Sequence, residues 1–135
     1  NREINGWWSE FVLTRKLNVN TNYALSIHGG QGNGSYGIVP IKADGTGISI
    51  EGKTYISKKG RLESKLIWNN INLKSGNVLP PEALMGNPVG NGLRTQTRFQ
   101  WIIDSQLSLN ISLITIRDSR YGSLITFNGE FRAYF

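Results

Sequence analysis

The chain's only imidazole, His28, stands beside Gly29-Gly30. A base–nucleophile pair would have to recruit it with one of many serines. With one His and no Cys, neither a His-based metal cluster nor a thiolate zinc site is open to this sequence. The expected role of His28 is that of a polar residue ending a strand. The nine carboxylates are scattered, and none are paired at a spacing that suggests acid/base catalysis. Gly30-Gln-Gly-Asn-Gly34 has the glycines of a phosphate loop but no Lys-Ser/Thr and no following helix pattern, so it reads as a flexible hairpin loop. Asn33-Gly-Ser35 and Asn110-Ile-Ser112 match the glycosylation sequon, a pattern that arises by chance in an Asn- and Ser-rich chain. No catalytic residue, cofactor or metal is expected, and an enzyme is the least favoured class.

Charge adds little to that search. Lys and Arg number 15 against nine acidic residues, a net charge of +6. The basic residues are dispersed, and only Lys58-Lys59-Gly60-Arg61 clusters, at what reads as a hairpin tip. Nucleic-acid binding needs a basic stripe with aromatics placed for stacking. The expectation is solubility charge carried on turns, with no nucleic-acid partner.

The elements behind these residues read as strands almost throughout. At 135 residues the chain has room for one domain, spanning 1–135. Leu107, Leu109, Ile111 and Leu113 alternate with Ser108, Asn110 and Ser112, the cleanest period of two in the sequence. Trp7, Phe11, Leu13, Leu17 and Val19 share one parity; Tyr23, Leu25 and Ile27 alternate with Ala24 and Ser26. Asp44-Gly45-Thr46-Gly47 reads as a turn before Ile48, and Asp118 to Gly122 as a turn into the last strand. Several short strands with turn signals between them indicate an all-β sandwich or barrel. Residues 75–92 carry three prolines and four glycines, so they cannot form a central strand. They are expected to be a long sheet-to-sheet crossover, with one helical turn at Pro81 to Met85. No run of 18 apolar residues is present, so no membrane span is expected. Asn1 in place of Met suggests a processed or trimmed N-terminus.

The last strand places Ile125, Phe127, Phe131, Ala133 and Phe135 on one face, and Thr126, Asn128, Glu130, Arg132 and Tyr134 on the other. The first set is expected to line the core. At a sheet edge, such a strand offers unpaired backbone beside bulky apolar side chains, which points to partnership by strand addition.

Both ends of the chain resemble the chaperone–usher pilus (fimbrial) subunits of the cysteine-free enteric branch. Tyr134 is penultimate, Gly122 lies fourteenth from the end, and Ile4-Asn-Gly-Trp-Trp-Ser-Glu-Phe-Val-Leu13 is similar to that branch's N-terminal strand. The resemblance implies an immunoglobulin-like sandwich that lacks its final strand and is completed by donor-strand addition. It further implies a groove at Gly122, Ile125, Phe127, Phe131, Ala133, Tyr134 and Phe135, filled first by a periplasmic chaperone. A neighbouring subunit's N-terminal segment later replaces the chaperone strand at the usher. Residues 1–13, with Ile4, Trp7, Trp8, Phe11 and Leu13 as plugs, would be this chain's own donor strand. The implied function is a structural or adhesive subunit of an extracellular fimbria, exported through the periplasm, with a host glycan or protein as receptor.

The competing class is a free-standing carbohydrate-binding module or β-barrel ligand carrier. Trp7 and Trp8 are adjacent and so face opposite ways on a strand, which leaves one ring free to stack on a sugar.

Overall fold

A computed structural model describes residues 2–36, 38–76, 84, 88–119 and 122–134. They form one antiparallel sheet of seven strands: β1 (Arg2–Lys16), β2 (Thr21–Tyr36), β3 (Val39–Ile56), β4 (Gly60–Ser75), β5 (Gly90–Ile102), β6 (Leu107–Asp118) and β7 (Gly122–Ala133). Every strand is bonded to its neighbours in sequence, in the order β1 to β7. The all-β antiparallel class expected from the alternation is therefore present, laid out as a continuous meander.

The strands are longer than the sequence punctuation suggests. Gly30 to Gly34, expected to be a loop, lies inside β2, with Gly30 opposite both Trp8 and Gly45. Asp44 to Gly47, expected to be a turn, lies inside β3. The reason is packing rather than turn chemistry. The bare Gly30 backbone lets the Trp8 ring lie against it, and a Cβ there would overlap the Trp7 carbonyl oxygen. The tip expected at Lys58-Lys59 is present: Ser57–Lys59 form the turn between β3 and β4, and Ser57 and Lys58 take φ of 49° and 60°.

The connection at 75–92 does not cross between sheets. β4 and β5 are bonded neighbours from Gly60↔Trp101 to Ile71↔Gly90, so the segment returns the chain to the adjacent strand. The helical turn expected at Pro81 to Met85 lies outside the described residues except for Leu84. That side chain is buried with Ala43 and Ile71, beside Trp8 and Leu73.

The sheet has two unequal ends. At one, which we call the lower end, lie the short connections Leu17–Asn20, Ser57–Lys59 and Ile103–Gln106 and the end of β7. The upper end carries the short connections between β2 and β3 and between β6 and β7, together with the long one between β4 and β5.

The core is small. Among the described residues the only buried hydrophobic ones are Ile41, Ala43, Ile71 and Leu84. Phe127 and Phe131, expected to line a core, are 69% and 60% exposed, because β7 is an outer strand and, among the described residues, no second layer covers that face. The β6–β7 register runs unbroken from Leu107↔Ala133 to Asp118↔Gly122, so the visible alternation sets which side chains share a face. A compact monomer of 15.1 kDa exposes about 7,100 Å². This chain exposes 9465 Å².

Candidate functional site

Strand pairing sorts the side chains into two faces of opposite chemistry. On one face, Phe11, Ile27, Ile48, Trp68 and Leu93 are in register across β1 to β5. Leu13, Leu25, Ile50 and Leu66 follow one step toward the lower end. Leu62, Phe99 and Ile111 come further down, and Trp101, Leu109 and Phe131 lower still. On the same face Phe99 and Trp101 stack with centroids 6.0 Å apart. Phe11, Leu13, Ile27, Ile50 and Phe131 are at least half exposed, and the others are partly exposed. Among the described residues this face carries no charge between Trp7 and Leu13 on β1, Leu62 and Trp68 on β4, Leu93 and Trp101 on β5, or Ile125 and Ala133 on β7. Charges stand outside that stretch, at Arg15 below it, and at Asp44 and Arg117 above it.

The stretch climbs across the sheet. It is centred at position 10 on β1 and at Gly129 on β7. Along the ladder, Gly129 is level with Ile111, Phe99, Leu62, Thr54 and Thr21. Thr21 in turn meets the chain at Leu17, about seven residues beyond position 10. Seven residues at ~3.3 Å each, over six strand spacings of ~4.8 Å, make a slope of roughly 40°.

The other face is polar. Ser26 and Ser49 hydroxyls bond each other, and His28 bonds the Asn69 side-chain oxygen while its ring lies 5.3 Å from that of Trp8. Farther down, Lys53, Glu63 and Arg98 occupy one rung, and Arg61, Asn110 and Glu130 belong to the next. Four strands, β4 to β7, together line a cavity of about 450 Å³ on this side, so the sheet is concave here. Arg61 donates to Glu63 two residues away, and Arg132 Nε donates to Glu130 Oε1 at 2.8 Å. Lys53 adds a second cation 3.6 Å from Glu63, and Lys65 stands 3.8 Å from Glu51. The Arg61 hydrogen bond holds the Glu63 carboxyl below the usual carboxylate range, and Arg132 does the same for Glu130.

The residues singled out from sequence divide between the two faces. Trp7, Phe11, Leu13, Ile125, Phe127, Phe131 and Ala133 belong to the apolar, convex face, whereas Ile4 and Trp8 belong to the concave one. The exposed ring expected of the Trp7-Trp8 pair is Trp7, at 58%. Of segment 1–13, residues 2–13 are paired along β2 as part of β1, and Asn1 lies outside the described residues. Gly122 opens β7 with φ of 65°, Tyr134 N–H donates to the Gln106 carbonyl at 2.8 Å, and Phe135 lies outside the described residues. His28 sits within a strand rather than at its end. The basic residues expected on turns are not confined there: Lys53, Arg61, Lys65, Arg94, Arg98 and Arg132 share the concave face. Parity read strand by strand would have gathered them. Among the described residues no His/Cys/Asp/Glu group could hold a metal ion, and no helix is long and apolar enough to cross a membrane. No family model matches the chain, and no curated protein does.

Proposed function

We propose that the seven strands form part of the wall of a transmembrane β-barrel, with the convex face against lipid and the concave face toward the lumen. The observation that carries this reading is the inversion of the sheet on β2 and β3: Ile27, Ile48 and Ile50 lie outward and exposed, while Ser26, His28 and Ser49 on the other face are buried. A water-soluble sheet does the reverse, burying its apolar face on a core. Transmembrane barrels alternate apolar-out and polar-in along strands tilted by about 35–45°, with short turns at one end and aromatic residues at both borders of the apolar band. Here the band slopes at roughly 40°. Trp7 and Trp68 bound it above on β1 and β4, and Trp101 bounds it below on β5. The nine residues from Leu93 to Trp101 match the 9–11 that a tilted strand uses to span the hydrocarbon. β1 and β7 are outer strands whose free edges cannot stand in hydrocarbon, so further strands complete the wall.

The four tryptophans supply the test. Trp7, Trp68 and Trp101 lie on the convex face and Trp8 on the concave one. Single-Trp variants are refolded into vesicles whose lipids carry bromine at defined depths. The three convex tryptophans should be quenched and Trp8 spared. Equal quenching of all four, or of none, would remove the barrel reading.

A second reading is favoured by the unpaired outer edge of β7. In it the domain is a fimbrial subunit, an immunoglobulin-like sandwich completed by a donor strand, whose partners are chaperone, usher and neighbouring subunits. That reading expects a peptide spanning Ile4 to Leu13 to bind protein truncated of its own N-terminal segment, and the full chain to assemble into fibres. Phe11→Asp in the full chain should abolish the fibre. Equal assembly by wild type and variant would remove it.

A further inference from the structure

We infer that the concave face holds a binding site for an oxyanion solute, centred on Arg98. Three arginines, Arg61, Arg98 and Arg132, line one cavity of about 450 Å³ together with Glu63, Glu130 and the polar residues Asn110, Ser112 and Asn128. Two of the three are held by carboxylates on their own strands, Arg61 by Glu63 and Arg132 by Glu130. Arg98 is not. Among the described residues no carboxylate lies within ion-pair distance of it. With the Gln96 amide oxygen turned toward it, that oxygen accepts from Arg98 Nε at 3.0 Å and from Nη2 at 3.1 Å. A neutral amide thus aligns the guanidinium without cancelling its charge. Glu63 faces Arg98 across the ladder but already serves Arg61 and Lys53.

The local excess is therefore positive, with Lys53, Arg61, Arg98 and Arg132 against Glu63 and Glu130. A planar guanidinium fork fits the paired oxygens of a phosphate or carboxylate, and a charge-assisted pair is about twice as strong as a neutral hydrogen bond. The amides of Asn110 and Asn128 and the hydroxyl of Ser112 offer further donors at the rim of the same cavity. The inference deepens the barrel reading by naming what the lumen side would take, although its geometry needs only the fold of β4 to β7.

The test is calorimetric titration of the refolded full chain in detergent with inorganic phosphate and, separately, with citrate. Saturable binding of either supports the site, and the better ligand tells phosphate from carboxylate recognition. Arg98→Gln should weaken binding at least tenfold, with Arg98→Lys intermediate because it keeps the charge and loses the fork. Arg15→Gln, on the opposite face, should change nothing. Binding should weaken as salt rises. No saturable heat in protein with an intact β-sheet circular dichroism spectrum, or equal binding by wild type and Arg98→Gln, would overturn the site. Phosphate binding without quenching by brominated lipid would remove the barrel and leave the site standing; the reverse outcome would remove the site alone.

Discussion

Phe127 and Asn128 are consecutive on β7 and stand on opposite faces: Phe127 is 69% exposed on the convex side, and Asn128 borders the arginine-lined cavity. The same division recurs on β6, where Ile111 lies on the convex face between Asn110 and Ser112, which share the concave face with Asn128. A strand places successive side chains on opposite faces, so one alternation sorts both strands. What differs from a soluble domain shows on β2 and β3, where Ser26, His28 and Ser49 are buried and Ile27, Ile48 and Ile50 on the other face are exposed. Contiguous exposed apolar surface on this scale marks a contact with something apolar, and the absence of charge across the stretch fits hydrocarbon.

Depth provides the first prediction. On β6 the apolar stretch runs from Leu107 at the lower border past Ile111 near its middle. An arginine on the lipid face costs about 2–4 kcal/mol at the bilayer midplane and about 0–1 near an interface. Ile111→Arg should therefore cost the larger amount in urea unfolding from vesicles, Leu107→Arg the smaller, and Ser112→Arg, on the lumen side, little. Equal costs at Ile111 and Leu107 would show that no depth gradient acts on this face.

Glycines give a second, independent of any membrane. A Cβ on Gly30 would meet the Trp7 backbone and the Trp8 ring, and one on Gly45 would overlap the Ile71 side chain. Overpacking of this kind costs roughly 1–3 kcal/mol. Gly52, also inside β3, has nothing within 4 Å of the added carbon. Gly52→Ala should therefore be neutral or stabilising by about 0.5–1 kcal/mol, and Gly30→Ala destabilising. Matched losses at both sites would contradict the packing of Trp8 against β2.

The third concerns Glu63. Its hydrogen bond from Arg61, with Arg61 and Lys53 charges nearby, lowers its pKa from an ordinary value of about 4.3. A group whose folded pKa is depressed contributes stability above its unfolded pKa and loses it as pH falls through the folded value. Stability from this pair should thus be constant at neutral pH and decline only in acid, below the usual carboxylate range. Carbon-13 NMR titration should find the Glu63 midpoint below that of an ordinary glutamate, and Arg61→Gln should raise it. An unchanged midpoint in that variant would show that Arg61 is not the cause.

Much of the sheet was legible in the sequence, because Leu107 to Leu113 alternate without a break and Ile125 to Ala133 with only Gly129 intervening. The hairpin tip at Lys58-Lys59 was legible too. The glycines of Gly30 to Gly34 and Asp44 to Gly47 misled, since the same residue that makes a turn also makes room for Trp8 and Ile71 inside a strand. Burial was read backwards for Phe127 and Phe131: alternation reveals that two faces differ, but not which one meets water. The expectation of no membrane span rested on a run of 18 apolar residues, a helical criterion that a strand with every second residue polar never meets. The arginine cavity escaped because Arg61, Arg98 and Arg132 are far apart in sequence and meet only through the β4-to-β7 register.

The last prediction separates the two functional readings on β7 itself. The chain has no cysteine, so each introduced one is unique. Residues 124 to 133 are replaced singly by cysteine and spin-labelled in vesicle-reconstituted protein. Accessibility to oxygen, which partitions into lipid, and to a polar nickel chelate, which stays in water, is then read position by position. In a barrel wall, positions 125, 127, 129, 131 and 133 should favour oxygen and positions 124, 126, 128, 130 and 132 the chelate, a strict period of two. The oxygen signal should peak near Gly129, where the apolar stretch on β7 is centred. A subunit awaiting a donor strand gives a different pattern. Its odd positions stay open to the chelate in vesicles and become protected only when a complementing peptide is added. Chelate access at Phe127 and Phe131 in the presence of lipid would therefore discard the barrel, and oxygen access there without any peptide would discard the donor-strand groove.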